Sequence, residues 1–194
     1  MKLYHMSESS IVKIDPDAKN CFELCEPFVQ ALEYSMDCFY GMVMNAKYTF
    51  AVLNKYHLRE WSNYVKWATE GVFEFVRKNE FPSCISRMKC VYYYADIPYS
   101  KKLYIEDYGD ESQEDRQKLR LYEVTVENGN FDKRDMSLYD TAYDIMSEKQ
   151  DLNAIMELAR QYYAGKHSTF PIWEYLSDIP AENLRDITFV LNDN

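Results

Sequence analysis

The sequence lacks the cysteine and histidine patterns that mark a structural zinc site. Its 194 residues include five cysteines and three histidines, and no two cysteines form a Cys-x-x-Cys pair. Zinc sites usually combine such close pairs with histidines. The sequence therefore predicts no metal site, and it predicts free thiols of the kind found in the reducing cytoplasm.

Two further absences argue against membranes and nucleic acids as partners. No apolar run approaches the length of a membrane-spanning helix, and the chain turns polar directly after Met1, unlike a signal peptide. Lys and Arg total 22 against 32 Asp and Glu, which gives a net charge of −10, and no basic run is present. Such a chain repels a phosphate backbone overall. We expect a cytoplasmic protein that binds neither partner.

What the chain does contain is apolar and aromatic material, at 47% and 16% of residues, enough for a substantial core. Strand patterns cover residues 2–6, 89–95, 119–127, 170–176 and 187–191. Helical periodicity covers residues 21–78, 138–147 and 151–163. Strands at the ends and in the middle, with helices grouped between them, predict one mixed α+β domain over residues 1–194. Residues 21–80 are then a large helical insertion after the first strand.

The tyrosine-rich segment 90–104 is a candidate binding surface. Asp96 and Pro98 end its strand and open a turn, and a tyrosine-lined turn at a strand end makes an aromatic shelf on which a flat ring can stack. On this segment alone, the favoured interpretation is an ordinary buried strand whose tyrosine hydroxyls reach solvent. After the later strand 119–127, Asn128-Gly129-Asn130 predicts a turn.

Three separated segments resemble the motifs of the ADP-ribosyltransferase superfamily. Leu3-Tyr4-His5-Met6-Ser7 is similar to the first motif, in which a hydrophobic strand ends in His. Tyr93-Tyr94-Ala95-Asp96, followed after seven residues by Tyr104, looks like the second motif of the poly-ADP-ribose polymerase-like branch. Glu174-Tyr175-Leu176-Ser177-Asp178-Ile179 is similar to the third. The order His, Tyr, Glu matches the family, but Met6 stands where the family commonly has Gly.

A second resemblance is to a smaller family of uncharacterised bacterial and phage proteins. It rests on the Phe81-Pro82…Ser86-Arg87 step, the Leu121-Tyr122-Glu123-Val124 strand and the Pro171-Ile172-Trp173-Glu174 segment. This likeness spans most of the chain and names no activity.

The first resemblance implies a fold with an ADP-ribosyltransferase-like sheet and a site for NAD. Glu174 would be the catalytic carboxylate, because cleavage of the nicotinamide–ribose bond passes through an oxocarbenium-like state that a fixed negative charge stabilises. His5 would bond the adenosine-side ribose, with Ser7 beside it in the same motif. Tyr104 and Tyr93 would hold the nicotinamide ring.

Arg87 is a candidate for binding the pyrophosphate through its fork of donors. The interpretation favoured for this residue is a surface ion pair.

The leading functional hypothesis is an NAD-dependent ADP-ribosyltransferase that acts on an unknown acceptor such as a protein, or an NAD glycohydrolase. The alternative is a catalytically inactive interaction domain on the same fold, with the helical block as its functional surface. A phosphotransferase of the same broad fold acting on RNA ends is disfavoured by the acidic charge. This hypothesis predicts that four side chains line one pocket: His5, Tyr93, Tyr104 and Glu174.

Overall fold

The computed structural model describes residues 1–16, 21–53, 58–109, 112–125 and 131–191, and over these residues the mixed α+β class is confirmed. The strands are β1 Lys2–Ser7, β2 Val91–Tyr94, β3 Arg120–Thr125, β4 Asp132–Asp135, β5 Trp173–Ser177 and β6 Leu184–Asp186. The helices are α1 Phe22–Tyr34, α2 Met36–Leu53, α3 Leu58–Glu80, α4 Ile97–Tyr108, α5 Gln113–Lys118, α6 Met136–Glu148 and α7 Leu152–Tyr163. The strands form one sheet in the order β4-β5-β2-β1-β3-β6.

The chain divides into two compact units. The sheet unit comprises residues 1–19, 90–133 and 173–194, and the helical unit comprises residues 20–89 and 134–172. The predicted insertion, residues 21–80, belongs to the helical unit, which also takes a second segment from later in the chain. The expectation of a single domain stays a prediction.

The two faces of the sheet can be read from β1. Leu3, His5 and Ser7 are buried, whereas Tyr4 and Met6 are half-buried, which is the alternation expected of a strand. The face that carries Leu3 packs into the core of the sheet unit. The buried members of this core cluster are Leu3, Ile14, Val91, Tyr93, Tyr122 and Val124.

Helix α4 packs against the opposite face. Its N-terminus is capped by Asp96, whose side chain accepts a hydrogen bond from the backbone N–H of Tyr99 at 2.7 Å, and Pro98 occupies the first turn. The helix therefore starts at Ile97, in the segment predicted to be a turn. The ring of Tyr99 contacts that of Tyr94, with centroids 5.4 Å apart.

The helical unit is organised around α3. One stripe of this helix is apolar and buried: Val65, Ala68, Val72, Phe73 and Val76 are each at most 1% exposed. Helix α7 is capped by Asp151, whose side chain accepts a hydrogen bond from the N–H of Ala154 at 3.1 Å.

The terminal strand predicted at residues 187–191 is wrong, because Thr188–Leu191 forms a 3-10 helix. Asp186 initiates this turn by accepting hydrogen bonds from both the N–H and the hydroxyl of Thr188. Strands β4 and β6 were not predicted, and the predicted turn Asn128-Gly129-Asn130 lies outside the described residues.

Among the described residues, no helix is long and apolar enough to cross a membrane. In the same part of the chain, no three His, Cys, Asp or Glu side chains are grouped so that they would hold a metal ion.

Helices α1 and α3 approach each other closely at Gly71. A Cβ at this position would lie 2.5 Å from the Cβ of Phe28 and 3.3 Å from the carbonyl oxygen of Cys25. Glycine in a helix costs about 1 kcal/mol relative to alanine, so its presence here is explained by packing and not by helix propensity.

We predict that Gly71→Ala lowers the free energy of unfolding by about 1–3 kcal/mol, since overpacking forces the two helices apart. Gly41→Ala is the matched control, because a Cβ there would meet nothing within 4 Å. The control substitution should raise stability by about 0.4–1 kcal/mol. Urea unfolding of both variants measures the difference, and equal stabilisation of the two would contradict the packing account.

Candidate functional site

The three motif segments occupy adjacent strands of the sheet. Strand β2 lies between β1 and β5, with Tyr94 opposite Tyr4 on one side and opposite Glu174 on the other. The ring centroids of His5 and Tyr93 are 5.8 Å apart. Segments from the beginning, middle and end of the sequence therefore meet in the middle of one sheet.

Strand alternation nevertheless separates Glu174 from His5. Residues directly opposite each other in an antiparallel sheet present their side chains on the same face, and successive residues alternate between faces. Glu174 therefore shares a face with Tyr94 and Tyr4, whereas His5 and Tyr93 belong to the other. The expectation that Glu174 and His5 line one pocket is wrong. Glu174 is in addition only 1% exposed.

His5 and Tyr93 are core residues in this structure. The Nδ1 atom of His5 lies 3.0 Å from the carbonyl oxygen of Tyr92, and because a carbonyl can only accept, Nδ1 is the protonated nitrogen in this hydrogen bond. Burial raises the pKa of the Tyr93 hydroxyl to about 12, with a further increase from Cys90. His5 thus ties β1 to β2, and Tyr93 stays neutral.

Tyr104 is the predicted site residue that lines an open pocket. The pocket has a volume of about 430 Å³ and lies in the sheet unit, between α4, α5, the start of β3 and the 3-10 turn at Thr188–Leu191. Ser7 lies close by in the sheet, because it is in register with Arg120 of the pocket wall. His5, Tyr93 and Glu174 are not among the lining residues. The polar residues of the lining are Tyr104, Gln113, Arg116, Gln117, Arg120 and Thr188.

The charged residues that line the pocket are both cations, although the chain as a whole is acidic. Arg116 and Arg120 both line it, and none of the lining residues carries a carboxylate. Arg120 donates from one guanidinium nitrogen to the carbonyl oxygens of Gln117 and Leu119, at 2.6 and 2.8 Å. Arg116 differs: its buried Nε has no hydrogen-bond partner among the described residues.

Asp186, which is not one of the lining residues, interacts electrostatically with Arg120. Burial raises the pKa of Asp186, but hydrogen bonds from Thr188 and the charge of Arg120 outweigh this effect and hold the pKa below its ordinary value. The positive charge of Arg120 is therefore partly balanced by Asp186.

Neither arginine could be singled out from the sequence. The segment 107–118 is charged and nearly free of apolar residues, a pattern typical of a solvated face, and no periodicity separates Arg116 from its exposed neighbours. Only the position of α5 beside the start of β3 reveals which charges line a pocket.

Arg87 forms an ion pair, which is the interpretation that the sequence favours. The pair is, however, buried and not on the surface. Arg87 is 5% exposed, and its Nε lies 3.0 Å from a carboxylate oxygen of Glu70, itself 3% exposed. Another guanidinium nitrogen donates to the Tyr162 hydroxyl at 2.8 Å, and the guanidinium lies 4.2 Å from the centre of the Tyr139 ring. These contacts lie within the helical unit and occupy the donors that a pyrophosphate would need.

We predict that Arg87→Met lowers the free energy of unfolding by about 3–5 kcal/mol, because it leaves the Glu70 carboxylate buried without its cation. The double variant Glu70→Met/Arg87→Met should recover most of this loss, since it removes both charges and fills similar volume. Urea unfolding of the two single variants and the double variant gives the coupling energy. Wild-type stability of the Arg87→Met variant would refute a structural role.

Comparison with known proteins adds a family but no activity. A family model with the description "Protein of unknown function (DUF2441)" matches residues 2–188. None of the curated proteins matches the sequence. Since the match covers nearly all of both the sheet unit and the helical unit, the chain belongs to the DUF2441 family of proteins of unknown function.

Proposed function

We propose that this protein binds NAD, or a closely related nucleotide, in the sheet unit, and that it acts as a binding domain. The single observation that carries this proposal is the position of Tyr104. The resemblance assigns it to the nicotinamide ring, and it lines a pocket of about 430 Å³. Pockets of roughly 300–1,000 Å³ are typical for small organic ligands.

The supporting residues belong to the same sheet unit. His5 and Ser7 are on β1, next to β2, and Ser7 is in register with the pocket residue Arg120. His5 contributes by fixing β1 against the backbone of Tyr92. In this proposal the first motif shapes the sheet beside the pocket, and Tyr104 makes the ring contact.

A binding function without cleavage is favoured by the position of Glu174. A carboxylate stabilises an oxocarbenium ion only where it touches the ribose. Glu174 is almost fully buried, on the face opposite to His5 and Tyr93. Moving it to the other face requires a one-residue slip of β5, which would reverse every side chain of that strand.

The transferase or glycohydrolase is the second candidate, and one observation favours it. Glu174 is the direct cross-strand partner of Tyr94, which belongs to the second motif. The third motif thus lies beside the second, as the resemblance implies. This candidate also requires an acceptor, a protein or water, for the ADP-ribose.

We predict that NAD binds the wild-type protein and raises its melting temperature, without release of nicotinamide. Tyr104→Leu should weaken NAD binding roughly two- to tenfold, the magnitude of a lost aromatic contact. Tyr48→Leu is the control, because Tyr48 is 71% exposed on α2 of the helical unit, and it should bind NAD like wild type.

Glu174→Gln separates the two candidates. A binding domain predicts equal NAD affinity for wild type and Glu174→Gln, measured by calorimetry, and no nicotinamide from either. Nicotinamide release by wild type that falls roughly 10²–10³-fold in Glu174→Gln would establish the catalytic candidate instead. If NAD neither binds nor is cleaved at millimolar concentration, both candidates are wrong.

A further inference from the structure

We infer that the pocket beside Tyr104 recognises phosphate, with Arg116 and Arg120 as its ligand-binding residues and a phosphorylated compound with a planar ring as its ligand class. This inference deepens the proposed function, on which it rests for the choice of pocket. It assigns a role to two residues outside the three motifs.

The charged groups that line the pocket are both cations. Two guanidinium groups line one cavity, together with a tyrosine, two glutamines and a threonine, and none of these residues is acidic. In a chain of net charge −10, such a cavity concentrates the positive potential that attracts an anion.

Arg116 and Arg120 differ in how their guanidinium groups are hydrogen-bonded. Its Nε is buried and has no hydrogen-bond partner among the described residues, although buried polar groups are normally satisfied. Arg120 in contrast has one of its guanidinium nitrogens committed to Gln117 and Leu119, which holds the side chain in place. One arginine is thus positioned by the backbone, and the other has an unused donor.

The chemistry of the lining residues suits a ligand that combines a phosphate group with a planar ring. A guanidinium presents parallel N–H groups that match two oxygens of a phosphate, and charge-assisted bonds of this kind are strong. Tyr104 supplies an aromatic surface in the same pocket. Gln113 and Gln117 supply uncharged donors and acceptors. An anion and a planar ring in one ligand describe a nucleotide.

Arg87, the arginine that the sequence offers as a candidate for binding pyrophosphate, is already engaged. Its guanidinium is paired with Glu70 inside the helical unit. Arg116 and Arg120 lie in the sheet unit with Tyr104, so they satisfy the chemical requirement that Arg87 does not.

The test measures binding of four probes by calorimetry: ADP, inorganic pyrophosphate, adenosine and NAD. ADP should bind wild type more tightly than adenosine, and its affinity should fall with added salt, because the contacts are ionic. Pyrophosphate that binds as tightly as ADP would show that the pocket takes free phosphate and would overturn the ring contact. Adenosine that binds as tightly as ADP would overturn phosphate recognition.

The variants identify the residues. Arg116→Gln should weaken ADP binding at least roughly tenfold, the effect of losing a hydrogen bond to a charged group. Arg116→Lys should lie between wild type and Arg116→Gln, since it keeps the charge without the fork. Arg185→Gln removes the same charge from an arginine that is 67% exposed on β6 and pairs with Glu123, and it should leave ADP binding unchanged.

Failure of this inference and failure of the proposed function give different results. If NAD binds wild type and the Arg116→Gln variant equally, the proposed function stands and phosphate recognition by Arg116 is refuted. If ADP binding depends on Arg116 but NAD does not bind, phosphate recognition stands and the NAD proposal is refuted. Equal loss of ADP binding in Arg116→Gln and Arg185→Gln would reduce the effect to net charge and overturn the site.

Discussion

The alternation of side chains across three paired strands determines what this protein can do with its motif residues. The pairing of Tyr4 with Tyr94, and of Tyr94 with Glu174, fixes these three residues on one face of the sheet. The same pairing fixes His5 and Tyr93 on the other. Because one face forms the core of the sheet unit and the other receives α4, the separation cannot be relieved by side-chain rotation. The proposed ligand pocket lies where α4 and α5 meet the sheet, and not between the motif residues.

Much of the fold could be predicted, because the helices and strands with the strongest local sequence patterns are also the ones that are buried. The apolar stripe of α3 and the cap at Asp151 identify helices without reference to the rest of the chain. Strand β4 could not be found in this way, since its residues Asp132, Lys133, Arg134 and Asp135 are all charged. It is an edge strand, where charge prevents unwanted pairing with other chains. Residues 187–191 show the opposite error: an apolar sequence suggested a strand, but the cap at Asp186 dictates a helical turn.

The candidate site was less predictable than the fold, for a physical reason. The sequence can say that His5, Tyr94 and Glu174 belong to strands, but register is a relation between strands, and a shift of one residue reverses the face. Burial of an arginine is likewise a tertiary property. Arg87 and Arg116 both follow polar or charged neighbours, yet one lies in a buried ion pair of the helical unit and the other lines a pocket. Tyr104 was selected only because its spacing from Asp96 matches the second motif of the family that the sequence resembles.

The interleaving of the two units along the chain has a consequence for the order in which the protein folds. Strand β1 pairs with residues 120–125, and β2 pairs with residues 173–177, so the central strands have partners far away in sequence. Contacts of such long range carry a large loop-closure cost and slow the search for the native state. During synthesis the first strand has no partner until β2, at residues 91–94, has emerged, and its second partner, β3, follows later still. Helices α1 and α3, by contrast, contact each other within residues 22–80. The early helical segment is thus the part of the chain best placed to collapse first. The pocket beside Tyr104 cannot form until its wall residues Thr188 and Leu191 have emerged.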